Sequence, residues 1–234
     1  MSDSLNKALK SLAKLDSCRN EQQAFPKGKE APDIKALVLT DQILWNLFKI
    51  HSKGNYIINT QNEKIVYTIL RYFLKDKDFN KEGIIQNDAS LDKGLLIFGD
   101  NGVGKSFLFQ ILHQIGRDLI KYSNTNLWFN CITSQKFVTD YMLSTKDNET
   151  NFSLKQYYKG KLYIDDLMME QKAFNKTELF TGVLFERDRN NAITYITTNS
   201  KPSEIATRYG RQITDRLPKM FNYIKWDGKS FREE

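Results

Sequence analysis

One octapeptide decides the fold of this chain: Gly99-Asp100-Asn101-Gly102-Val103-Gly104-Lys105-Ser106, which fits the pattern G-x-x-x-x-G-K-[S/T] at every fixed position. The apolar residues 95–98 before it have the length of a buried parallel strand. After it, apolar residues recur at helical spacing, at Phe107, Leu108, Ile111, Leu112 and Ile115. Glycines let the backbone wrap closely around a polyphosphate, so that amide groups and the helix N-terminus point at negative charge. The order of strand, loop and helix therefore predicts a phosphate-binding loop, with a simple Gly-rich turn as the alternative.

The residues of this loop have distinct predicted roles. Lys105 is expected to reach the β- and γ-phosphates of a nucleotide, and the Ser106 hydroxyl is expected to bind Mg²⁺. The predicted nucleotide-binding residues are Gly99, Asn101, Gly102, Val103, Gly104, Lys105, Ser106 and Phe107.

A second element with phosphate chemistry lies at residues 162–166, where the apolar strand Leu-Tyr-Ile ends in two carboxylates. Ligands of parallel α/β sheets bind at the carboxyl ends of the strands, where Asp165 and Asp166 would emerge. Asp165 is predicted to hold Mg²⁺ opposite Ser106, and Asp166 is predicted to polarise the water that attacks the γ-phosphate. The alternative is an Asp-Asp turn that caps the next segment.

Beyond the loop the predicted elements alternate between strand and helix. Strands are expected at 127–131, 162–164, 193–197 and 223–226, and helices at 134–143 and 177–187. Such alternation predicts a parallel sheet with helices on both faces. Asn199 follows one of these strands, and its amide could orient the lytic water or sense the γ-phosphate. A plain turn residue is the alternative for Asn199.

Composition limits the class of protein. The chain has 234 residues, 40% of them apolar, which suffices for an α/β domain with a real core. A formal charge of +7 favours a polyanionic partner, although a Lys-rich solvated surface would give the same balance. Cys18 and Cys131 lack metal-ligand spacing, and Cys131 is expected to pack inside an apolar strand. The absence of a signal sequence and of a long apolar run predicts a soluble, cytoplasmic protein without a membrane partner.

The N-terminal region is expected to be a separate helical unit. Leucines at 5, 9, 12 and 15 predict a short amphipathic helix, and Pro and Gly residues mark a linker near 21–33. Residues 34–50 are too apolar for a lone surface helix, so they are expected to pack against the main domain or a partner. The predicted division is a helical N-terminal region at 1–54, which could bind a helicase, and an ATPase domain at 55–234.

The order of motifs resembles the bacterial helicase-loader ATPases of the DnaC and DnaI kind and their transposition relative IstB, which are AAA+ proteins. The resemblance covers about residue 55 to the C-terminus. Its most specific pieces are the phosphate loop, Ile164-Asp165-Asp166-Leu167 with Glu170, Thr197-Thr198-Asn199, the stretch Tyr209-Gly210-Arg211-Gln212-Ile213-Thr214-Asp215-Arg216-Leu217, and the tail Asp227-Gly228-Lys229-Ser230-Phe231-Arg232.

The resemblance implies an α/β fold, the P-loop NTPase fold of AAA+ proteins, with a five-stranded parallel sheet between helices and no sizeable C-terminal lid. It implies ATP and Mg²⁺ as ligands and slow ATP hydrolysis, stimulated by DNA or a partner. Arg216 maps onto the family's arginine finger, which acts in trans within a ring or spiral of subunits; a salt bridge with Asp215 or another acid is the alternative. The implied catalytic set is Lys105, Asp165, Asp166, Asn199 and Arg216. Asp166 stands where related ATPases more often carry Glu, so the resemblance does not fix how efficiently this shorter side chain supports hydrolysis.

The resemblance also implies partners. In the family, the segment between the second strand and the acidic pair contacts single-stranded DNA, and here it carries Lys136, Lys146 and Lys155 among aromatic residues. The expected partners are single-stranded DNA, a replicative hexameric helicase and further copies of the chain. Two alternatives remain at this stage. One is an IstB-like ATPase that assembles on duplex target DNA and engages a transposase, and the other is a nucleotide-switched adaptor with negligible turnover.

Overall fold

Five parallel strands form the centre of the molecule in a computed structural model that describes residues 38–120, 124–145 and 152–232. The strands are β1 Gly94–Gly99, β2 Asn130–Thr133, β3 Leu162–Asp165, β4 Thr194–Thr198 and β5 Phe221–Trp226. Their order across the sheet is β2-β3-β4-β1-β5, and every neighbouring pair is parallel. The predicted five-stranded parallel sheet is therefore confirmed.

Helices flank this sheet. The longer ones are α1 Asp41–Ser52, α2 Glu63–Phe73, α3 Lys105–Ile120, α4 Ser134–Ser144, α5 Leu179–Arg189 and α6 Pro202–Tyr209. Two single-turn helices follow, α7 Arg211–Thr214 and α8 Leu217–Met220, and a 3₁₀ turn spans Leu154–Tyr157. Among the residues described, no helix is both long and apolar enough to cross a membrane.

Two hydrophobic cores lie on opposite faces of the sheet. Side chains alternate along a strand, so Leu95 and Ile97 of β1 enter one core while Leu96 enters the other. The first core is closed by α1, α2 and α3, and the second by α4, α5 and α6. The alternation of strands and helices along the chain predicted helices on both faces of the sheet, because right-handed crossovers can place a helix on either face.

Helix α1 belongs to the first core. Its Leu44 and Phe48 are 1% and 2% exposed and pack with residues of α2 and α3. Thr40 caps the helix through its hydroxyl, which accepts a hydrogen bond from the Ile43 N–H, so the helix begins at Asp41 rather than at 34. The expected helix at 5–15 and linker at 21–33 lie outside the described residues, and the division at 54 and 55 stays a prediction.

Some boundaries differ from the expected ones because long-range pairing sets them. Strand β2 begins at Asn130 rather than 127, and it is an edge strand, so Cys131 is exposed instead of packed. Strand β5 begins at Phe221, two residues before the expected 223, because it pairs with β1 along its whole length. Helix α5 begins at Leu179 because an antiparallel bridge joins Ala173 to Thr177 just before it.

Candidate nucleotide-binding site

The phosphate-binding loop connects β1 to α3, as expected. Gly102 and Gly104 have φ angles of 75° and 101°, a region that residues with a Cβ seldom adopt. At Gly102 a Cβ would also lie 2.2 Å from the Ser230 Oγ, so the C-terminal tail packs directly against the loop. The first N–H groups of α3 have no partner within the helix and carry the positive end of its dipole. This loop can therefore accept an anion through its main chain.

Lys105 occupies the centre of the site and is 5% exposed. Its ammonium group donates three hydrogen bonds, to the Gly99 O at 3.0 Å, the Asp100 O at 2.6 Å and the Asn199 Oδ1 at 2.9 Å. Burial lowers the pKa of Lys105, whereas the carboxylate of Asp166 raises it. An ammonium group has three donors, so a bound phosphate would replace one of these acceptors.

Asp165 and Ser106 meet as expected. The Ser106 Oγ donates to the Asp165 Oδ1 at 2.7 Å, and the Tyr163 and Thr197 hydroxyls donate to the same oxygen at 2.6 Å each. Three donors hold this carboxylate in one orientation. A hydroxyl and a carboxylate are the hard oxygen ligands that Mg²⁺ prefers, so this pair fits the ion.

Asp166 lines the same cavity as Lys105 and Ser106. Its φ of 52° is left-handed, an uncommon conformation for a residue other than glycine that is found at functional sites. Burial and the neighbouring Asp165 carboxylate raise the pKa of Asp166, and Lys105 and Arg232 lower it. A raised pKa makes a carboxylate a stronger base.

These residues surround a cavity of about 570 Å³. One wall is apolar and aromatic, formed by Ile57, Tyr56 and Phe107, with the two rings 5.5 Å apart. Asn101, Gly102 and Gly104 of the loop line the other side, together with Asn199. Val103 instead points into the first core and is 2% exposed. The volume suits a small ligand, with phosphate groups on the loop and a flat ring against the apolar wall.

The C-terminal tail contributes two cavity residues that motif reading missed, Phe231 and Arg232. The Phe231 N–H donates to the Gly102 O, and the Gly228 N–H donates to the Asp100 Oδ2, both at 3.0 Å. The tail is thereby fixed across the phosphate loop. The resemblance of this tail to the terminal segment of the loader ATPases could have drawn attention to it. No sequence pattern, however, predicted that Arg232 lies in the nucleotide cavity.

Arg216 is absent from the residues that line this cavity. It forms an ion pair with Asp188 and stacks on the Phe185 ring at 4.4 Å. Its Nε is buried without a hydrogen-bond partner in the described part of the chain. The arrangement in one subunit is thus a salt bridge with an acid, the alternative given above, and the role of Arg216 as an arginine finger stays a prediction.

The lysines expected at DNA are only partly described. Lys136 is paired with Asp140 at 2.9 Å on the exposed side of α4, Lys155 is exposed on the 3₁₀ turn, and Lys146 lies outside the described residues. The aromatic residues between them pack on each other, with the Phe137 ring 4.9 Å from that of Tyr157. Their stacking on nucleic acid stays a prediction.

The fold and the site together define a P-loop nucleoside triphosphatase. Strand β1 carries the phosphate loop, β3 carries the acidic pair, and β4 lies between them with Asn199 at its end. This strand order brings Lys105, Asn199 and the Ser106–Asp165 pair to one edge of the sheet.

Comparison with known proteins assigns the family. The model of the bacterial DnaA ATPase domain matches residues 81–223, more than half of the chain, so the chain belongs to this family of AAA+ ATPase domains. It is 30% identical over 114 residues to the chromosomal replication initiator DnaA 1 of Protochlamydia amoebophila, a match that covers 47% of this chain and 24% of that protein. DnaA of Borrelia garinii is 31% identical over 142 residues, covering 59% and 27% of the two chains. The chain thus spans about a quarter of the length of these relatives.

A solved structure, the crystal structure of the DnaC helicase loader, has the same fold. It superposes with a TM-score of 0.52 at 18% identity and covers 80% of this chain and 99% of that one. The resemblance to loader ATPases is confirmed at the level of the fold.

Proposed function

We propose that this protein is an ATP-hydrolysing AAA+ protein of DNA replication that binds single-stranded DNA and loads or remodels a replicative helicase. One observation carries the ATPase part: the Ser106 Oγ lies 2.7 Å from the Asp165 Oδ1 beside a lysine that contacts Asn199. The replication part is supported by similarity to replication initiators and by the fold shared with a helicase loader.

The residues divide the chemistry among them. Ser106 and Asp165 would hold Mg²⁺, which when bound would supply positive charge to the phosphate groups. Lys105 would exchange a loop carbonyl for a phosphate oxygen, and Asn199 would orient the attacking water. Asp166 would accept a proton from that water. At the same time the water oxygen bonds to the γ-phosphorus, and the bond between the γ-phosphorus and the ADP oxygen breaks. Arg216 of a neighbouring subunit would stabilise the charge that develops on the γ-phosphate.

The first test separates binding from turnover. Asp166→Asn keeps the size of the side chain but cannot accept the proton, so turnover should fall about 100-fold while ATP affinity changes little. Asp78→Asn, on an exposed turn, is the matched control and should leave both unchanged. Unaltered turnover in Asp166→Asn would mean that another group acts as the base.

The second test addresses the partner. The full chain should capture the host's hexameric helicase, and a form that lacks the residues before Ala31 should not. Failure of both forms to bind would exclude helicase loading. In parallel, ATP-dependent assembly is measured with single-stranded and with duplex DNA. Assembly on duplex DNA alone would instead support the transposition role of an IstB-like protein.

A further inference from the structure

The buried carboxylate of Glu170 joins two segments that the site uses for different purposes. Its side chain is 1% exposed. The Oε2 accepts a hydrogen bond from the Met168 N–H at 2.9 Å, and the Oε1 accepts one from the Tyr209 hydroxyl at 2.5 Å. The Arg208 guanidinium lies 3.0 Å from the Oε1 and supplies the countercharge. The catalytic set above gives this residue no role.

The first segment is the loop that carries Asp166. Asp166 and Met168 have left-handed φ angles of 52° and 83°. Residues other than glycine keep such angles where the surrounding structure holds them there. Glu170 fixes the Met168 N–H, and the Arg208 Nη1 donates to the Met168 O at 2.7 Å. The Ser134 Oγ donates to the Asp166 O at 2.6 Å. The orientation of Asp166 therefore depends on contacts with Glu170 and α6.

The second segment leads to Arg216. Tyr209 is the last residue of α6, and Gly210, with a φ of 87°, turns the chain into α7. The turns beyond are joined by hydrogen bonds from the Ile213 N–H to the Gly210 O and from the Arg216 N–H to the Ile213 O, both 3.0 Å. The position of Tyr209 thus sets the position of Arg216.

The Tyr209 hydroxyl is a stable donor to Glu170. Burial, together with the Glu170 carboxylate, raises the pKa of Tyr209, so the phenol keeps its proton. A carboxylate that is 1% exposed and lost either donor would be left poorly paired, which costs free energy in a protein interior. Glu170 therefore links the two segments through its carboxylate oxygens.

We propose that Glu170 is a positioning residue that couples the Asp166 loop in a subunit's own ATP site to the Arg216 that the subunit presents to its neighbour. This inference rests on the proposed function, in which Arg216 acts in trans. Its consequence is that a change at Glu170 or Tyr209 in one subunit slows hydrolysis in the adjacent one.

A mixing experiment separates the two directions of coupling. Arg216→Ala provides an intact ATP site without a finger, and Lys105→Ala provides a finger without a working site. Each is inactive alone, and their mixture should regain turnover. Tyr209→Phe, which removes only the hydroxyl, and Glu170→Gln, which removes the charge, are then placed in either parent.

Glu170→Gln is expected to lower the turnover of the mixture about tenfold whichever parent carries it, since a hydrogen bond to a charged group is lost. Tyr209→Phe is expected to do so only in the Lys105→Ala parent, which supplies the finger. Tyr67→Phe in the same parent is the control and should leave turnover unchanged. ATP affinity of the Arg216→Ala parent should stay at its original value. Both parents should remain folded at the assay temperature, although their melting temperatures should fall because the buried hydrogen bond to Glu170 is weakened.

Three results would overturn the coupling. The first is an active parent mixture whose turnover stays the same when Glu170→Gln or Tyr209→Phe is added to the Lys105→Ala parent. In that case Arg216 acts in trans but the coupling is absent. If the parent mixture is inactive, Arg216 does not act in trans, and this part of the proposed function fails together with the coupling. A loss of turnover that is accompanied by a loss of ATP affinity in the Arg216→Ala parent, or by unfolding at the assay temperature, would assign Glu170 a purely structural role.

Discussion

Within the described residues, charged side chains are buried for two different reasons. Lys105 lines the nucleotide cavity, Asp165 accepts a hydrogen bond from the cavity residue Ser106, and Glu170 accepts one from the Met168 N–H in the loop that follows Asp166. Arg187 is buried between α5 and the sheet, and its exposed fraction is 0%. Burial of a charge thus occurs in the candidate site at Lys105 and Asp165 and supports the fold at Arg187.

Arg187 holds together segments that are distant in sequence. Its guanidinium donates to the main-chain oxygens of Tyr157, Gly160 and Ile193 at 2.6 to 2.8 Å and to the Thr194 Oγ1 at 2.7 Å. Arg187→Ala should lower the free energy of unfolding by at least ~3 kcal/mol, because several buried carbonyls lose their donor. The comparison is Arg189→Ala on the same helix, whose side chain is 62% exposed and which should cost less than ~1 kcal/mol. Urea unfolding measures both, and equal effects would contradict this role.

His113 should make stability depend on pH. Burial and the nearby Arg117 lower the pKa of His113, whose ring stacks on Trp128 at 5.5 Å. The unfolded chain then binds a proton more readily than the folded one, so the free energy of unfolding should decrease as pH falls through the ordinary value of 6.5 and towards the lowered folded pKa. His113→Phe keeps the stacking and should flatten this dependence. Unfolding curves at a series of pH values test it, and an unchanged slope in the variant would refute it.

At the scale of the element, the glycines inside helices α3 and α5 have contrasting surroundings. In α3, a Cβ at Gly116 would lie 2.4 Å from the Leu127 O, so the helix approaches the backbone that leads to β2. In α5, a Cβ at Gly182 would have no atom of the described residues within 4 Å. Close packing explains the first glycine, and no contact explains the second.

This contrast predicts opposite effects of the same substitution. Gly116→Ala should lower the free energy of unfolding by more than ~1 kcal/mol, since α3 must shift away from rigid backbone. Gly182→Ala should raise it by ~0.5 to 1 kcal/mol, because alanine loses less backbone entropy in a helix. Urea denaturation measures the free energy of unfolding of both variants. Destabilisation by Gly182→Ala would contradict the open space beside Gly182 in α5.

At the scale of the whole molecule, Lys105, Asp166 and Asn199 line the cavity of one subunit and Asp165 contacts its Ser106, whereas Arg216 pairs with Asp188 elsewhere. An arginine that reaches a neighbour's nucleotide would complete the site only in an oligomer. Turnover per subunit should therefore rise with protein concentration and level off as assembly completes. Arg216→Ala should remove most of this rise, and Arg211→Ala, an exposed arginine on α7, should not. Turnover per subunit that is constant over the whole range would show that the site is complete in one chain.

Much of the site could be foreseen because its residues are local in sequence. The phosphate loop, the acidic pair and Asn199 each follow an apolar strand, and parallel strands end at the same edge of the sheet. Element boundaries were less predictable, as β5 shows, because pairing with β1 extends it beyond its own apolar pattern. Cys131 was expected to be packed, but the position of β2 at the sheet edge leaves it exposed.

The sequence by itself determined the phosphate-binding loop, the acidic pair at the end of a strand and the parallel α/β class, since these follow from short patterns of glycine, carboxylate and apolar residues. Only the tertiary structure decided that Arg232 lines the cavity, that Glu170 bridges Met168 and Tyr209, and that Arg216 pairs with Asp188. The physical reason is that these contacts join segments far apart along the chain, and which segments meet depends on the strand order and on how both faces of the sheet are covered.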